Sequence, residues 1–382
     1  MQSRFYCDRE PAVEWSDGRA PDLEPVIRGH CVPFVAGGNS IGLAVTLVTP
    51  TNATIMTFGR PSLSTRAQTR ADTLFEIGSL TKTFTGLTLA RQIERGSVRL
   101  DQPVQELLPP GVELPAAAQG ITLRHLTSHS SGFPRLLPGW SLRQGAWMLL
   151  FGSDPYAGYN VAKLRANMRS ARLISKPGAE VHYSNFGMML LGYLLATKAG
   201  ASYEAFVKQE VCVPLAMNDT TITLDPGRAA RTAQGYRTVL RCGCLAIALR
   251  SAPWFERTDL GGAGALRSTA TDMLKYLLAN MRPVGWPLEH ALRESHKVVF
   301  KTPGRAALGM NWMRAQNRRL KQPLIWHNGA TGGYRSYIGF TGDGRFGVVV
   351  LSNGTENVDG LAMAMLRDLA APAPDNERPL DH

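Results

Sequence analysis

A serine and a lysine one helical turn apart are the residues best suited to chemistry. Ser79-Leu80-Thr81-Lys82 opens residues 79–94, whose apolar side chains recur at helical spacing. Residues three apart share a helix face, so the hydroxyl and the amine would meet at the helix N-terminus. A desolvated Lys82 would accept the Ser79 proton there, and backbone N–H groups would stabilise an oxyanion. The spacing predicts a serine nucleophile; a surface Ser and Lys on one helix is the ordinary alternative.

Tyr183-Ser184-Asn185 is the only Tyr-x-Asn sequence in the chain, and it precedes an apolar helical stretch. A phenol at this point would relay a proton, and the Asn185 amide would bind a substrate carbonyl or orient Lys82. The alternative is a Tyr that packs its ring and an Asn that caps the next helix.

His327-Asn328-Gly329 ends a predicted strand near the C-terminus and precedes Ala330. Gly329 would let a substrate backbone approach the strand edge closely. The Ala330 N–H would then act as a second oxyanion donor beside that of Ser79. The alternative is a glycine-rich turn with a His whose hydrogen bonds are satisfied within the fold.

In this order, the three motifs resemble those of the serine β-lactamase-like superfamily. Within it they are similar to the group of class C β-lactamases, D-alanyl-D-alanine carboxypeptidases and family VIII carboxylesterases. The resemblance extends over about residues 41–369. Three further stretches carry it, namely Phe75-Glu76-Ile77-Gly78, Leu126-Thr127-Ser128-His129-Ser130-Ser131-Gly132 and Gly262-Ala263-Gly264-Ala265-Leu266-Arg267-Ser268-Thr269.

The resemblance implies a serine hydrolase that acts on esters or amides through an acyl-enzyme. Ser79 would attack a carbonyl, and Lys82 and Tyr183 would accept and relay its proton. The N–H groups of Ser79 and Ala330 would hold the oxyanion, and Asn185 would contact the acyl amide of the substrate. Neither a metal nor an organic cofactor is implied.

His327 departs from the class C pattern, which has Lys-Thr-Gly where this chain has His327-Asn328-Gly329. A His is mostly neutral at pH 7 and attracts a substrate carboxylate less than a Lys does. We therefore expect ester or D-amino-acyl substrates to be favoured over β-lactams, although Arg335 would restore a carboxylate anchor.

Three other functions remain open for the same motifs. The chain would be a class C-type β-lactamase, or a penicillin-binding D-Ala-D-Ala carboxypeptidase that acts on cell-wall peptides. A non-enzymatic β-lactam-binding sensor or assembly protein would use the fold without turnover. The presence of Ser79, Lys82, Tyr183 and Asn185 together favours an enzyme.

Strand patterns lie at both chain ends and helical patterns lie between them. After a polar lead-in, residues 41–49 and 53–59 predict a hairpin around a Pro-Thr-Asn turn. Residues 324–327, 336–340 and 346–352 predict late strands, the last two joined around Asp343-Gly344. Helices are predicted over 79–94, 123–128, 142–150, 161–168, 187–197, 203–211, 268–281 and 358–369.

This arrangement predicts an α/β plus all-α fold. An antiparallel sheet flanked by helices is built from both chain ends, and a helical domain is inserted. The sheet domain comprises residues 1–78 and 265–382, the mainly helical domain residues 79–264, and the active site lies at their interface. A loop over residues 134–160 would border the pocket with its aromatic residues, Trp140, Trp147, Phe151, Tyr156 and Tyr159.

The 382 residues carry 42 Lys and Arg against 30 Asp and Glu, a formal net charge of +12. The basic residues are scattered singly, which argues against nucleic-acid binding. No segment is apolar over the ~18 residues a membrane span needs. The first 15 residues lack the apolar core of a secretory signal, so we expect a cytoplasmic protein, or a periplasmic or secreted one if a leader was removed. The five cysteines, irregularly spaced, predict free thiols.

Overall fold

The computed structural model describes residues 3–6, 13–15, 23–135, 153–242, 245–255, 259–301 and 306–370. The strands in these ranges are β1 (Ser3–Tyr6), β2 (Val13–Trp15), β3 (Gly42–Val48), β4 (Ala53–Gly59), β5 (Phe75–Glu76), β6 (Tyr236–Cys242), β7 (Leu245–Arg250), β8 (Arg267–Ser268), β9 (Ala307–Leu308), β10 (Met313–Asn317), β11 (Gln322–Ala330), β12 (Arg335–Thr341) and β13 (Gly347–Ser352).

The α-helices in the same ranges are α1 (Glu24–Ala36), α2 (Thr81–Glu94), α3 (Leu123–Thr127), α4 (Val161–Arg169), α5 (Asn185–Lys198), α6 (Tyr203–Val207), α7 (Pro226–Ala230), α8 (Ala270–Met281), α9 (Glu289–His296) and α10 (Asp359–Ala370). Short 3₁₀ turns occupy Gly78–Leu80, Val104–Leu107, Ala116–Ala118 and Gly261–Ala263, and α6 continues into a π-helical turn over Lys208–Cys212. No helix among these residues is long and apolar enough to cross a membrane.

Eight strands from the two ends of the chain form one antiparallel sheet in the order β2-β4-β3-β13-β12-β11-β10-β9. The predicted hairpins are confirmed, because β3 pairs with β4 and β12 pairs with β13. The seam between the two chain ends is the pairing of β13 with β3, where Val350 lies opposite Val45. The fold class predicted from the sequence is therefore present.

Both faces of the central strands β3, β12 and β13 are buried, and successive residues of β13 alternate between them. Val348 and Val350 pack against α1 and α10, whereas Val349 and Leu351 belong to the larger core that includes α2, α5 and α8. Side chains along a strand point to opposite faces, so a continuous apolar run fits a strand covered on both sides. The larger core carries the helices on which the site residues lie.

The helix α1 and a small second sheet are among the features that were not expected from the sequence. The polar lead-in contains α1, which buries Ile27, Cys31 and Val35 at four-residue spacing against the sheet. A small three-stranded sheet has the order β1-β7-β6, with β6 and β7 inside the mainly helical stretch. Strand β1, which pairs with β7, is more than 200 residues away from it in sequence. No local sequence pattern therefore predicts this sheet.

We propose the domain division that the sequence suggested, with residues 79–264 as the helical part and the remaining residues as the sheet part. The predicted helix at 142–150, the aromatic residues Trp140, Trp147 and Phe151, and the tail after residue 370 lie outside the described residues. Of the cysteines, Cys31 and Cys212 are buried free thiols, as predicted.

Candidate active site

Ser79 lies in the 3₁₀ turn between β5 and α2, and Lys82 is the second residue of α2. Lys82 Nζ donates hydrogen bonds to Ser79 Oγ at 2.9 Å and to the Ala263 carbonyl at 2.5 Å. The lysine side chain is fully buried (0 % exposed). Burial, and secondarily the charge of Arg135, hold the pKa of Lys82 well below its usual value. The lowered pKa favours the neutral form of the amine, the form that can accept a proton from the serine hydroxyl.

The Ser79 turn is in direct backbone contact with the end of β11. Gly78 has a φ of +49°, and a Cβ on it would lie 2.8 Å from the Ala330 nitrogen. A Cβ on Gly329 would lie 2.2 Å from the Ile77 carbonyl oxygen, to which the Ser336 hydroxyl donates at 2.7 Å. Only glycine permits this approach, which brings the Ala330 N–H beside the Ser79 turn.

Tyr183 is surrounded by nitrogen-bearing side chains. Its ring centroid lies 4.8 Å from Lys82 Nζ, 5.6 Å from Arg135 Cζ and 4.4 Å from the ring centroid of His129. Burial raises the pKa of Tyr183 to about 12, although a hydrogen bond with Ser79 and the Arg135 charge oppose the shift. The phenol therefore keeps its proton at neutral pH.

Asn185 begins α5, and its side chain faces an aromatic wall. Asn185 Nδ2 donates to the Tyr156 hydroxyl at 2.7 Å, while Oδ1 is buried with no hydrogen-bond partner among the described residues. The helix is capped by Ser184, whose Oγ accepts from the Gly187 N–H at 3.0 Å. Ser184, and not Asn185, therefore caps this helix. The Asn185 amide oxygen is available to accept a hydrogen bond from a ligand.

His327 is buried at the site, and its Nδ1 donates to the Asn328 carbonyl at 2.7 Å. Burial, with a smaller contribution from the Lys82 charge, lowers the pKa of His327 to about 3. The imidazole is neutral, so this position supplies no fixed positive charge. Asn328 Nδ2 donates in turn to Asp359 at 2.7 Å, which brings a carboxylate to the same strand end.

A cavity of about 810 Å³ opens at these residues. It is lined by six of the eight predicted site residues, namely Ser79, Tyr183, Asn185, Gly329, Ala330 and Arg335. The other two, Lys82 and His327, are buried at the site and are absent from this lining. The remaining lining residues are Arg135, Pro155, Tyr156, Trp254, Met313, Asn328, Asn357 and Asp359.

A family model described as beta-lactamase matches residues 28–371 of the chain. The chain belongs to the beta-lactamase family. This membership confirms the resemblance predicted from the three motifs, and with it the class of serine acyl-hydrolases.

Among curated members of related sequence, D-alanyl-D-alanine-carboxypeptidase/endopeptidase AmpH of Escherichia coli (strain K12) is 26% identical over 337 residues, which cover 82% of this chain and 80% of that protein. A beta-lactamase of the same strain is 24% identical over 364 residues, 87% of this chain and 89% of its own length. A solved class C beta-lactamase superposes with a TM-score of 0.78 at 22% identity, covering 92% of this chain and 98% of its own. The octameric penicillin-binding protein homologue from Pyrococcus abyssi gives a TM-score of 0.74 at 25% identity. The superposition covers 92% of this chain and 78% of that chain.

Arg135, Trp254, Asn357 and Asp359 are among the cavity residues that were not predicted as site residues. Arg135 follows a Gly-Phe-Pro stretch, and no spacing rule connects it to Ser79. Asp359 opens α10 some 280 residues after Ser79. Tyr156 was expected as part of the loop over residues 134–160, and it does line the cavity.

Proposed function

We propose that this enzyme hydrolyses carboxylic esters and D-amino-acyl amides through a covalent acyl-enzyme on Ser79. The observation that carries the proposal is the 2.9 Å hydrogen bond between Ser79 Oγ and the amine of a fully buried Lys82. A weak nucleophile needs an adjacent base, and burial makes a lysine such a base near neutral pH.

In the acylation step, Ser79 Oγ bonds to the substrate carbonyl carbon while Lys82 takes the hydroxyl proton. The N–H groups of Ser79 and Ala330 stabilise the oxyanion that forms. The bond to the leaving oxygen or nitrogen then breaks, and that atom receives a proton passed from Lys82 through Tyr183. Tyr183 fits the relay because its pKa of about 12 keeps the phenol protonated between transfers.

In the deacylation step, a water molecule attacks the ester carbon of the acyl-enzyme. Its proton passes to Lys82, and the Ser79 oxygen leaves and regains a proton, which restores the resting site. The unpartnered Asn185 Oδ1 would accept a hydrogen bond from an N–H of the acyl group.

The charges at the His327 end support substrates without a carboxylate on the leaving group. His327 is neutral, and the Asp359 carboxylate is hydrogen-bonded to Asn328 of the same strand. Arg335 donates to the carbonyl oxygens of Thr331 and Tyr334 at 3.2 and 3.0 Å, and the carboxylates of Glu356 and Asp359 oppose its positive charge.

A substrate panel tests the proposal. Short p-nitrophenyl esters, D-alanyl p-nitroanilide and the cephalosporin nitrocefin are compared in the wild type and in Ser79→Ala. We expect hydrolysis of the ester and the D-amino-acyl amide, and its loss in the variant. Ester hydrolysis that survives Ser79→Ala would refute the acyl-enzyme, and a kcat/KM for nitrocefin far above that for the esters would refute the substrate preference.

A cell-wall peptidase is the second candidate function. The support is the similarity to the D-alanyl-D-alanine-carboxypeptidase/endopeptidase of E. coli, together with Arg335 in the cavity wall as a carboxylate anchor. Release of D-Ala from a muropeptide pentapeptide, abolished in Ser79→Ala, would establish it. Incubation with a fluorescent penicillin separates both candidates from a binding-only sensor, because a sensor keeps the label without turnover.

A further inference from the structure

His129 is a buried titratable residue that the proposed proton path does not use. It is 3 % exposed and follows α3 in the Leu-Thr-Ser-His-Ser-Ser-Gly stretch. Its ring is tilted by 33° against that of Tyr183, with 4.4 Å between the two centroids. His129 therefore forms one wall of the space in which the Tyr183 phenol lies.

His129 also binds the chain on both sides of Tyr183. Its carbonyl accepts a hydrogen bond from the His182 N–H at 2.8 Å, and its Nδ1 accepts one from the Ser184 N–H at 3.2 Å. One residue thus holds the two neighbours of the tyrosine and contacts its ring. Backbone and side chain of Tyr183 are restrained together.

This arrangement carries two structural costs. His129 has a φ of +56°, a left-handed conformation that is unfavourable for a residue with a Cβ. Because Nδ1 accepts a hydrogen bond, the ring hydrogen is on Nε2, and Nε2 is buried with no partner among the described residues. A buried donor without an acceptor is destabilising, and such costs concentrate at functional sites.

We propose that His129 is a positioning residue that holds the Tyr183 phenol in line between Ser79 Oγ and the leaving group. The inference rests on the proton relay proposed for Tyr183. A displacement of the order of 1 Å in a reacting group can cost about a hundredfold in rate. Loss of the imidazole ring leaves Tyr183 free to rotate away while the substrate still binds.

The test is His129→Asn, because Asn tolerates the left-handed conformation and its Oδ1 can accept the Ser184 N–H. We expect kcat for D-alanyl p-nitroanilide, whose leaving nitrogen needs a proton, to fall about ten- to a hundredfold, with KM changed less than twofold. Rates are normalised to the fraction of enzyme that gives an acylation burst with a p-nitrophenyl ester, so a misfolded fraction does not imitate the effect.

The matched control is His125→Asn. His125 lies in the same segment, where its Nδ1 accepts the Thr122 N–H at 3.1 Å as part of the α3 cap. We expect a lower Tm and an unchanged burst-normalised kcat. Equal losses of kcat in the two variants would overturn the inference, since the loss would then come from general destabilisation.

A double-mutant cycle with Tyr183→Phe decides whether His129 acts through the phenol. We expect His129→Asn to reduce kcat less than twofold in the Tyr183→Phe background. A full ten- to hundredfold loss there would overturn the positioning role and leave the relay intact. Wild-type kcat in Tyr183→Phe alone would instead remove the relay proposed for Tyr183, and the inference with it.

Discussion

At the scale of single residues, the site depends on a lysine kept uncharged by its surroundings. Lys82 is fully buried, and among the residues that the structure describes its amine is hydrogen-bonded to a hydroxyl and a carbonyl oxygen and to no carboxylate. Desolvation without a counter-ion disfavours the ammonium form. The neighbouring imidazoles of His129 and His327 also have pKa values lowered by burial. Burial therefore shifts all three groups toward their neutral forms.

This protonation state predicts the pH dependence of the enzyme. Activity requires neutral Lys82 and protonated Tyr183, so kcat/KM rises as pH passes upward through the lowered pKa of Lys82. It falls only when Tyr183 ionises near its pKa of about 12. We expect a plateau from neutral pH to at least pH 9.5, measured with an ester corrected for spontaneous hydrolysis. A kcat/KM that still rises steeply between pH 9 and 10 would mean that Lys82 keeps an ordinary pKa.

At the scale of elements, the contact between the Ser79 turn and β11 brings the two proposed oxyanion donors together. Gly78→Ala would place a methyl group 2.8 Å from the Ala330 nitrogen and push the strand away. We expect kcat to fall by about 10²- to 10³-fold, the usual cost of losing one oxyanion donor. The measurement is steady-state hydrolysis of a p-nitrophenyl ester.

Gly96→Ala is the matched control for Gly78→Ala. Gly96 also has a positive φ, +69°, but nothing lies within 4 Å of the position of its Cβ. It should cost about 1 kcal/mol of stability through backbone strain and leave kcat unchanged. Equal kcat in the two variants would show that the close approach at Gly78 is not needed for turnover.

The first residue of α10, Asp359, places a carboxyl group in the cavity wall. Asp359→Asn removes a carboxylate from the His327 end while keeping a polar partner for Asn328. We expect kcat/KM to rise about tenfold for substrates whose leaving group carries a carboxylate, because a like charge several Å away is removed. Neutral esters should change less than twofold.

Asp368→Asn serves as the control, because Asp368 lies on the same helix, is exposed and pairs with His30 at 2.6 Å. It should leave the selectivity between charged and neutral leaving groups unchanged. The gain in Asp359→Asn should also shrink at high salt, since ions screen the repulsion. If the two variants behave alike, Asp359 does not set selectivity.

At the scale of the whole molecule, the sheet separates a structural layer from a catalytic one. Ile27 of α1 packs in the core on one face, while Leu80 and Phe84 beside the nucleophile belong to the core on the other. Ile27→Ala should lower the free energy of unfolding by about 2–4 kcal/mol. At a temperature where the variant stays folded, kcat should match the wild type.

Urea titration and ester hydrolysis measure the two quantities for Ile27→Ala. Val213→Ala is the control, since Val213 is 73 % exposed and should change stability by less than about 0.5 kcal/mol. A large fall in kcat for Ile27→Ala in fully folded protein would show that the two layers are coupled.

The sequence by itself determined the contacts between residues that are close in the chain and the elements that have a periodic pattern. Ser79 and Lys82 meet because three residues make one helical turn, and the hairpins of β3–β4 and β12–β13 follow from alternation around short turns. The order of the three motifs predicted the family, and the strand patterns at both chain ends predicted the sheet built from them.

The tertiary structure decided the features of the site that depend on contacts between distant segments of the chain. The burial that makes Lys82 neutral, the Ala263 carbonyl that holds it, and the placement of Arg135 and Asp359 around the cavity all involve contacts across tens to hundreds of residues. The spacing of residues within a short sequence motif does not predict contacts of this kind. A pKa is set by the dielectric and charges around a group, and these exist only once the layers have packed.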